Sequence, residues 1–252
     1  MKIEKIMKFG GTSVGSPERM KALIPLITNS EKKIVVLSAM AGTTNNLVEI
    51  TDLLYGDNVN EASLKIEALR EKYHKVVDDL YETEDYRETG HELINSHFDY
   101  INNFTLRVFT KLQEKSILAQ GELISTSLFH QLLKERNIKS VLLPALNFMR
   151  IDKDGEPDFF YIEENITREL RKYNADTIKI TQGFICRNVY GEIDNLKRGG
   201  SDYSASIIGA AIKVKEIQIW TDISGFHNND PRFVRNTQVI RELSFDEAAE
   251  LA

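Results

Sequence analysis

Short apolar runs alternate with longer amphipathic stretches along this chain, and the alternation predicts a layered α/β fold. Residues 3–9 read as a first strand that runs into a glycine turn. Pro17 opens a helix in which Met20, Leu23, Ile24 and Ile27 recur at helical spacing. Ile34-Val35-Val36-Leu37 is continuously apolar, the pattern of a strand covered on both faces. Residues 47–55 return to helix. The opening is therefore βαβα, the start of a mainly parallel sheet.

Between about residues 61 and 115 charged residues dominate and apolar positions recur at three and four. This predicts a cluster of helices beside the sheet, a lid or subdomain. A further helix follows at 121–136 and a strand at 141–143. Residues 149–151 and 159–161 flank Asp152-Lys153-Asp154-Gly155, which reads as a β-hairpin around a turn. Helix is expected over 162–173, strands over 177–185 and 217–220, and a helix-like run from 245 to the last residue. No repeat, low-complexity tract or linker interrupts the pattern, so residues 1–252 are expected to form one domain with two lobes.

Composition narrows the picture. With 252 residues, 42% of them hydrophobic, the chain can bury the core of one large α/β domain. Its net charge of -6 argues against a general nucleic-acid partner. The single cysteine, Cys186, excludes a disulfide framework and a multi-thiol zinc site, and its strand-like setting suggests a buried structural thiol. Lys5 and Lys8 interrupt the N-terminal apolar residues, and no apolar stretch approaches membrane-spanning length. The expectation is a cytoplasmic protein without a membrane partner. His74, His91 and His97 lack a paired carboxylate spacing, so they read as solvated or helix-packing rather than as metal ligands.

Candidate chemistry collects at the predicted strand ends, where open α/β sheets bind ligands. Lys8-Phe9-Gly10-Gly11-Thr12-Ser13-Val14-Gly15 follows the first strand, and Lys197-Arg198-Gly199-Gly200-Ser201-Asp202 leads into a helix. Two glycine turns, each with a cation and hydroxyls, suggest a site gripping phosphate from two sides. Lys8 is placed to act as a point charge on a phosphoryl group, with a surface lysine as the plainer alternative. Ser38, Thr43, Thr44 and Asn45 close the second strand, either as a helix cap or as ligand contacts. Glu122, in the first turn of a helix, either complements the helix dipole or receives an ammonium group. Arg198 offers a guanidinium for a carboxylate, and Thr221-Asp222 with Asp230-Pro231-Arg232 forms a polar loop after the last strand. The Walker A, protein-kinase and G-x-G-x-x-G patterns are all absent.

Taken in order and spacing, these segments resemble the aspartokinases of the amino-acid kinase family. The similarity rests on residues 8–14 and 38–45, Gly121-Glu122-Leu123-Ile124-Ser125-Thr126, residues 198–204, and Trp220-Thr221-Asp222 followed by Asp230-Pro231-Arg232. It covers essentially the whole chain. It implies a three-layer α/β/α fold with a mainly parallel central sheet and a helical insertion. The implied reaction moves the γ-phosphoryl of ATP, with Mg2+, to the side-chain carboxylate of L-aspartate, the first step towards lysine, threonine and methionine.

Carried over by position, Lys8 with Asp202 would be catalytic. Lys8, Gly10, Gly11, Thr221, Asp222, His227 and Arg232 would meet the nucleotide. Ser38, Thr44, Glu122, Arg198, Gly199, Gly200 and Ser201 would meet aspartate. The chain departs from the family pattern at Lys197, at Asp194-Asn195, at His227 and at Cys186. The resemblance also implies, beyond Ala252, a nucleotide-contacting lysine segment and regulatory ACT domains, with a homodimer as the state of that longer chain. The alternatives are a kinase of glutamate or acetylglutamate and a nucleotide-binding module without catalysis.

Overall fold

The computed structural model describes residues 3–29, 31–106, 108–196, 199–231 and 233–251. It divides at Trp220 into a unit spanning Met1–Trp220 and a second spanning Thr221–Ala252. The first holds strands β1 (Lys5–Phe9), β2 (Lys33–Leu37), β3 (Ser140–Leu143), β4 (Ile178–Gln182), β5 (Ile185–Arg187), β6 (Ile193–Asn195) and β7 (Glu216–Trp220). Five of them form a parallel sheet in the order β3-β4-β2-β1-β7, and β5 and β6 form an antiparallel ribbon.

The two-residue period of a strand explains how the sheet is covered. Met7, Phe9, Val35, Leu37 and Ile180 point into one hydrophobic cluster, and Ile6, Ile34, Val36 and Leu143 into another. The first cluster is shared with α1 (Pro17–Ile27), α2 (Thr43–Tyr55), α3 (Val59–Leu80), α4 (Glu84–Asn102), α5 (Lys111–Leu118) and α6 (Gln120–Glu135). The second is shared with α7 (Phe159–Leu170) and α8 (Gly200–Ala211). The result is the three-layer α/β/α arrangement that the family resemblance implied. The second unit contains one antiparallel bridge, His227 with Val239, and the short helix α9 (Phe245–Leu251).

Three expectations are corrected. The helices of residues 61–115 are no lid, because Ile66, Leu69, Tyr73, Val76 and Val77 of α3 belong to the same buried cluster as Met7 and Val35 of the sheet. The expected hairpin keeps its turn, with Ile151 bridged to Pro157, but residues 159–161 are helical. The Asp158 side chain accepts from Tyr161 N and caps α7 there, which overrides the aromatic strand signal. The strand expected over 177–185 breaks at Gly183-Phe184, where Phe184 takes φ +65°. Phe184 N donates to Ser204 Oγ at 2.9 Å and its carbonyl accepts from Leu196 N at 2.7 Å. Those contacts come from residues distant in sequence, which no local pattern reveals.

The burial pattern makes a stability prediction. Ile34 on the central strand is fully buried, whereas Ile219 on the edge strand β7 is 44% exposed. Ile34→Ala should destabilise the protein by about 2–5 kcal/mol. Ile219→Ala should lose less than about 1 kcal/mol, in proportion to the smaller area it buries. Urea unfolding of both variants checks the contrast.

Candidate active site

Lys8 lies on β1 one step from Met7 and Phe9, so it shares the face of Ile6 and points toward the layer of α8. Its Nζ reaches Asp202 Oδ1 at 2.5 Å, with the lysine side chain 10% and the aspartate 51% exposed. Asp202 occupies the first turn of α8, where a carboxylate complements the helix dipole. Gly199 caps that helix at φ +77°, a left-handed conformation that side chains other than hydrogen strain. The glycine turn therefore serves the backbone as well as the ligand.

From the opposite layer comes Glu122, in the first turn of α6 and 3% exposed. Its approach depends on Gly121. A Cβ there would stand 2.8 Å from Ala39 Cβ, closer than real contacts allow. With glycine in place, Ala39 N donates to Glu122 Oε1 at 3.1 Å. The other carboxyl oxygen, Oε2, is buried and has no hydrogen-bond partner among the described residues. Burial pushes this carboxyl up to about 8, against the pull of the Lys8 charge and of the amides it accepts from. The turn is fastened in place: Ser125 Oγ donates to Ser38 O at 2.7 Å, and Thr126 Oγ1 to Glu122 O at 2.7 Å.

These groups share one cavity of about 400 Å³ at the carboxyl ends of β1 and β2. Lys8, Gly11, Ser38, Thr44, Glu122, Gly199, Gly200, Ser201 and Asp202 all line it, as the sequence reading grouped them. Gly10 is not in this lining, though a Cβ there would stand 3.5 Å from Lys8 Nζ. The glycine loop and the loop after β2 are joined by Ala41 N donating to Gly11 O at 3.0 Å. Gly42, at φ +80°, leads into α2 without a side-chain cap, and Thr44, the second residue of that helix, lines the cavity.

Arg198 and Arg232 lie outside the described residues. Thr221, Asp222 and His227 belong to the second unit, where Thr221 Oγ1 donates to Asp222 Oδ1 at 3.2 Å. The His227 ring is occupied on both nitrogens, Nε2 with Ser224 Oγ at 3.0 Å and Nδ1 with Thr237 Oγ1 at 2.9 Å. Two contributors were missed by sequence reasoning: the Phe184 side chain in the cavity wall and the Ala39 amide on Glu122. The Gly183-Phe184 pair was a usable signal for a strand break, whereas nothing local marks a backbone amide.

Away from the cavity, His74 and His91 face each other, Nδ1 to Nδ1 at 2.6 Å, and His97 Nδ1 meets Gln120 Oε1 at 2.6 Å. Among the described residues no group of three or more histidine, cysteine or carboxylate side chains is arranged to hold a metal ion. Cys186 is buried, its thiol pushed up to about 12 by burial, which suits a structural and unreactive role. No described helix is long and apolar enough to cross a membrane.

The arrangement suits a zwitterion and an anion together. The unpartnered Glu122 oxygen calls for a cationic donor, while Lys8 and the turn at the start of α8 suit phosphate or carboxylate. Comparison with known proteins agrees with this chemistry. The Amino acid kinase family model matches residues 4–252. The lysine-sensitive aspartokinase 3 of Escherichia coli is 33% identical over 98% of this chain and 55% of its own length. An aspartokinase of Chlamydia trachomatis matches at 33% with the same coverage. The crystal structure of E. coli aspartokinase III with aspartate and ADP superposes with a TM-score of 0.86 at 31% identity, covering 98% of this chain and 55% of that one. The chain thus spans about half the length of the curated relatives it matches.

The buried carboxyl predicts a pH signature in the free protein. Its value in the folded state, about 8, lies above the ordinary 4.5, so between those values the folded state binds more protons than the unfolded one. The stabilisation from neutral Glu122 is full below about pH 4.5 and is lost as pH rises through about 8. Wild type should therefore lose on the order of a few kcal/mol across that window relative to Glu122→Gln, which lacks the titration. Urea unfolding of both proteins from pH 5 to 9 measures the difference in slope.

Proposed function

This chain belongs to the amino acid kinase family, and we propose that it carries the catalytic machinery of an aspartokinase. The observation that carries the reading is Glu122: a buried carboxyl with a free oxygen, sharing one cavity with Lys8 and the glycine turn of α8. The ammonium group of L-aspartate supplies the missing donor for Oε2. An N-acetylated amino acid would bring no cation and leave Oε2 without its charged donor, which argues against acetylglutamate as acceptor.

With the ammonium on Glu122, and with Ser38, Thr44, Gly199, Gly200, Ser201 and Arg198 around the remaining polar groups, the β-carboxylate is left toward Lys8. One of its oxygens attacks the γ-phosphorus of ATP. A new O–P bond forms as the bond to the ADP oxygen breaks, and ADP leaves with the electron pair. The protein contributes positioning and charge neutralisation, the dominant needs of phosphoryl transfer. Without ligand, Lys8 is neutralised by Asp202. A phosphate arriving at Lys8 takes over that role and frees the half-exposed Asp202 carboxylate.

Magnesium fits this setting, because the ion is usually held by one or two carboxylates together with substrate phosphates rather than by a protein cage. Asp202 would hold it, and its chemistry there would be to neutralise phosphate charge. Gly10 and Gly11 would complete the phosphate side, and Thr221, Asp222, His227 and Arg232 would serve the nucleoside. Assignment of residues 1–252 as one catalytic domain, with acidic-substrate and nucleotide lobes, belongs to the same proposal. So does the homodimeric state of a longer chain, which rests on the family resemblance alone. The single, deeply buried thiol of Cys186 suits a cytoplasmic setting.

A coupled ADP-release assay across aspartate, glutamate and acetylglutamate tests the acceptor. Aspartate should be preferred over glutamate by roughly 10²-fold in kcat/KM, because one extra methylene displaces the reacting carboxylate by about an ångström. Equal values for the two acids would overturn the assignment. In the same assay Lys8→Ala should lower kcat by about 10²–10³ if Lys8 stabilises the transferring charge. Because ionised Glu122 is the form that accepts an ammonium, kcat/KM for aspartate should also rise with pH up to about 8.

A further inference from the structure

We propose that Tyr73, acting through Thr43, is a positioning residue that sets the spacing of the two cavity walls carrying Thr44 and Glu122. The inference rests on the aspartokinase reading of the cavity but concerns a residue outside it. Tyr73 sits in the middle of α3 and is 1% exposed, yet its hydroxyl is not spent on packing. It meets Thr43 Oγ1 at 2.7 Å, and Thr43 is itself 1% exposed. A buried pair of hydroxyls of this kind is expensive to break from one side, since the remaining group is left without a partner.

The geometry gives the bond a purpose. Thr43 is the first residue of α2 and directly precedes Thr44 in the cavity lining. Fixing Oγ1 on Tyr73 fixes χ1, and therefore also the direction of the Cγ2 methyl. That methyl stands 3.4 Å from the Cβ position of Gly121, the residue directly before Glu122. Methyl against glycine sets how closely the start of α2 approaches the first turn of α6. Burial raises the Tyr73 phenol well above its ordinary range and so keeps its proton for the hydrogen bond with Thr43. The partner wall is tied to the same helical layer, since Gln120 Oε1 meets His97 Nδ1 of α4.

Tyr73→Phe and Thr43→Val remove the bond from its two ends with little change of volume, so either decides if the other fails to fold. Each should raise the aspartate KM roughly 3- to 10-fold, the loss of one net hydrogen bond, with kcat and the ATP KM changed less than about twofold. The double variant should be no worse than the weaker single one, as expected for groups acting through one another. Backbone amides at the starts of α2 and α6 should exchange with solvent faster by a similar factor in the ligand-free variants. Unchanged aspartate KM and unchanged local exchange, or faster exchange spread over α3 alone, would overturn the positioning role. If wild type leaves aspartate unphosphorylated, the functional reading fails, and the exchange measurement still decides the role of Tyr73.

Discussion

Everything in this site follows from the parallel pairing of β1, β2 and β4. Parallel neighbours need crossovers, and helices that return the chain must begin where the strands end. In this way α2 begins beyond β2, and the first turns of α6, which follows α5, and of α8, which follows β6, reach the same cavity at the end of β1. Those turns bring unsatisfied backbone donors and positive dipole ends to one place. An anion-binding cavity is a consequence of the topology before any side chain is chosen. The side chains then decide which anion, and what else is bound with it.

Two carboxylates make that decision by occupying opposite environments. Asp202 is half exposed and paired with Lys8, so its charge is compensated in the ligand-free protein. Glu122 is buried with one satisfied and one unsatisfied oxygen, and burial outweighs the Lys8 charge in setting its protonation. A site that only bound phosphate would gain nothing from Glu122, because a carboxylate so close to Lys8 opposes anion binding. Its presence makes sense when the ligand carries a cation next to a carboxylate. The zwitterionic end of an amino acid meets that description, and the Lys8 end of the cavity suits the phosphates of a phosphoryl donor.

Much of this was legible in the sequence because it is local. The first apolar run placed Lys8 at a strand end, and glycine pairs marked Gly11 and Gly199 as turns. Polar clusters at strand ends grouped Ser38, Thr44, Glu122 and Gly199 through Asp202, which the fold brings into one cavity. What escaped was contact between distant segments. The break at Phe184 is made by Ser204 and Leu196, and the start of α7 by an Asp158 cap that competes with strand-like aromatics. Likewise, the helices of residues 61–115 looked autonomous because their charged faces dominate the composition, while the face carrying Ile66, Leu69 and Tyr73 joins the core of the sheet.

That last misreading bears on how the site is held together. A lid would rest on the cavity and move with ligand; a packed layer shares its core and has little freedom to do so. The α3–α4 layer therefore acts on the cavity by fixed contacts at its base rather than by closure over its mouth. Its polar reach into the core is sparse, and two of its contacts, Tyr73 on Thr43 and His97 on Gln120, land at the starts of α2 and α6. Both targets lie next to residues that line the cavity, Thr44 in one case and Glu122 two positions on in the other. The Tyr73 hydroxyl is buried and the His97 contact partly buried, and each is spent on a polar partner rather than on packing alone. Their geometry is explained when the layer is regarded as the scaffold that keeps a buried, unpaired carboxyl at a set distance from the loop that faces it.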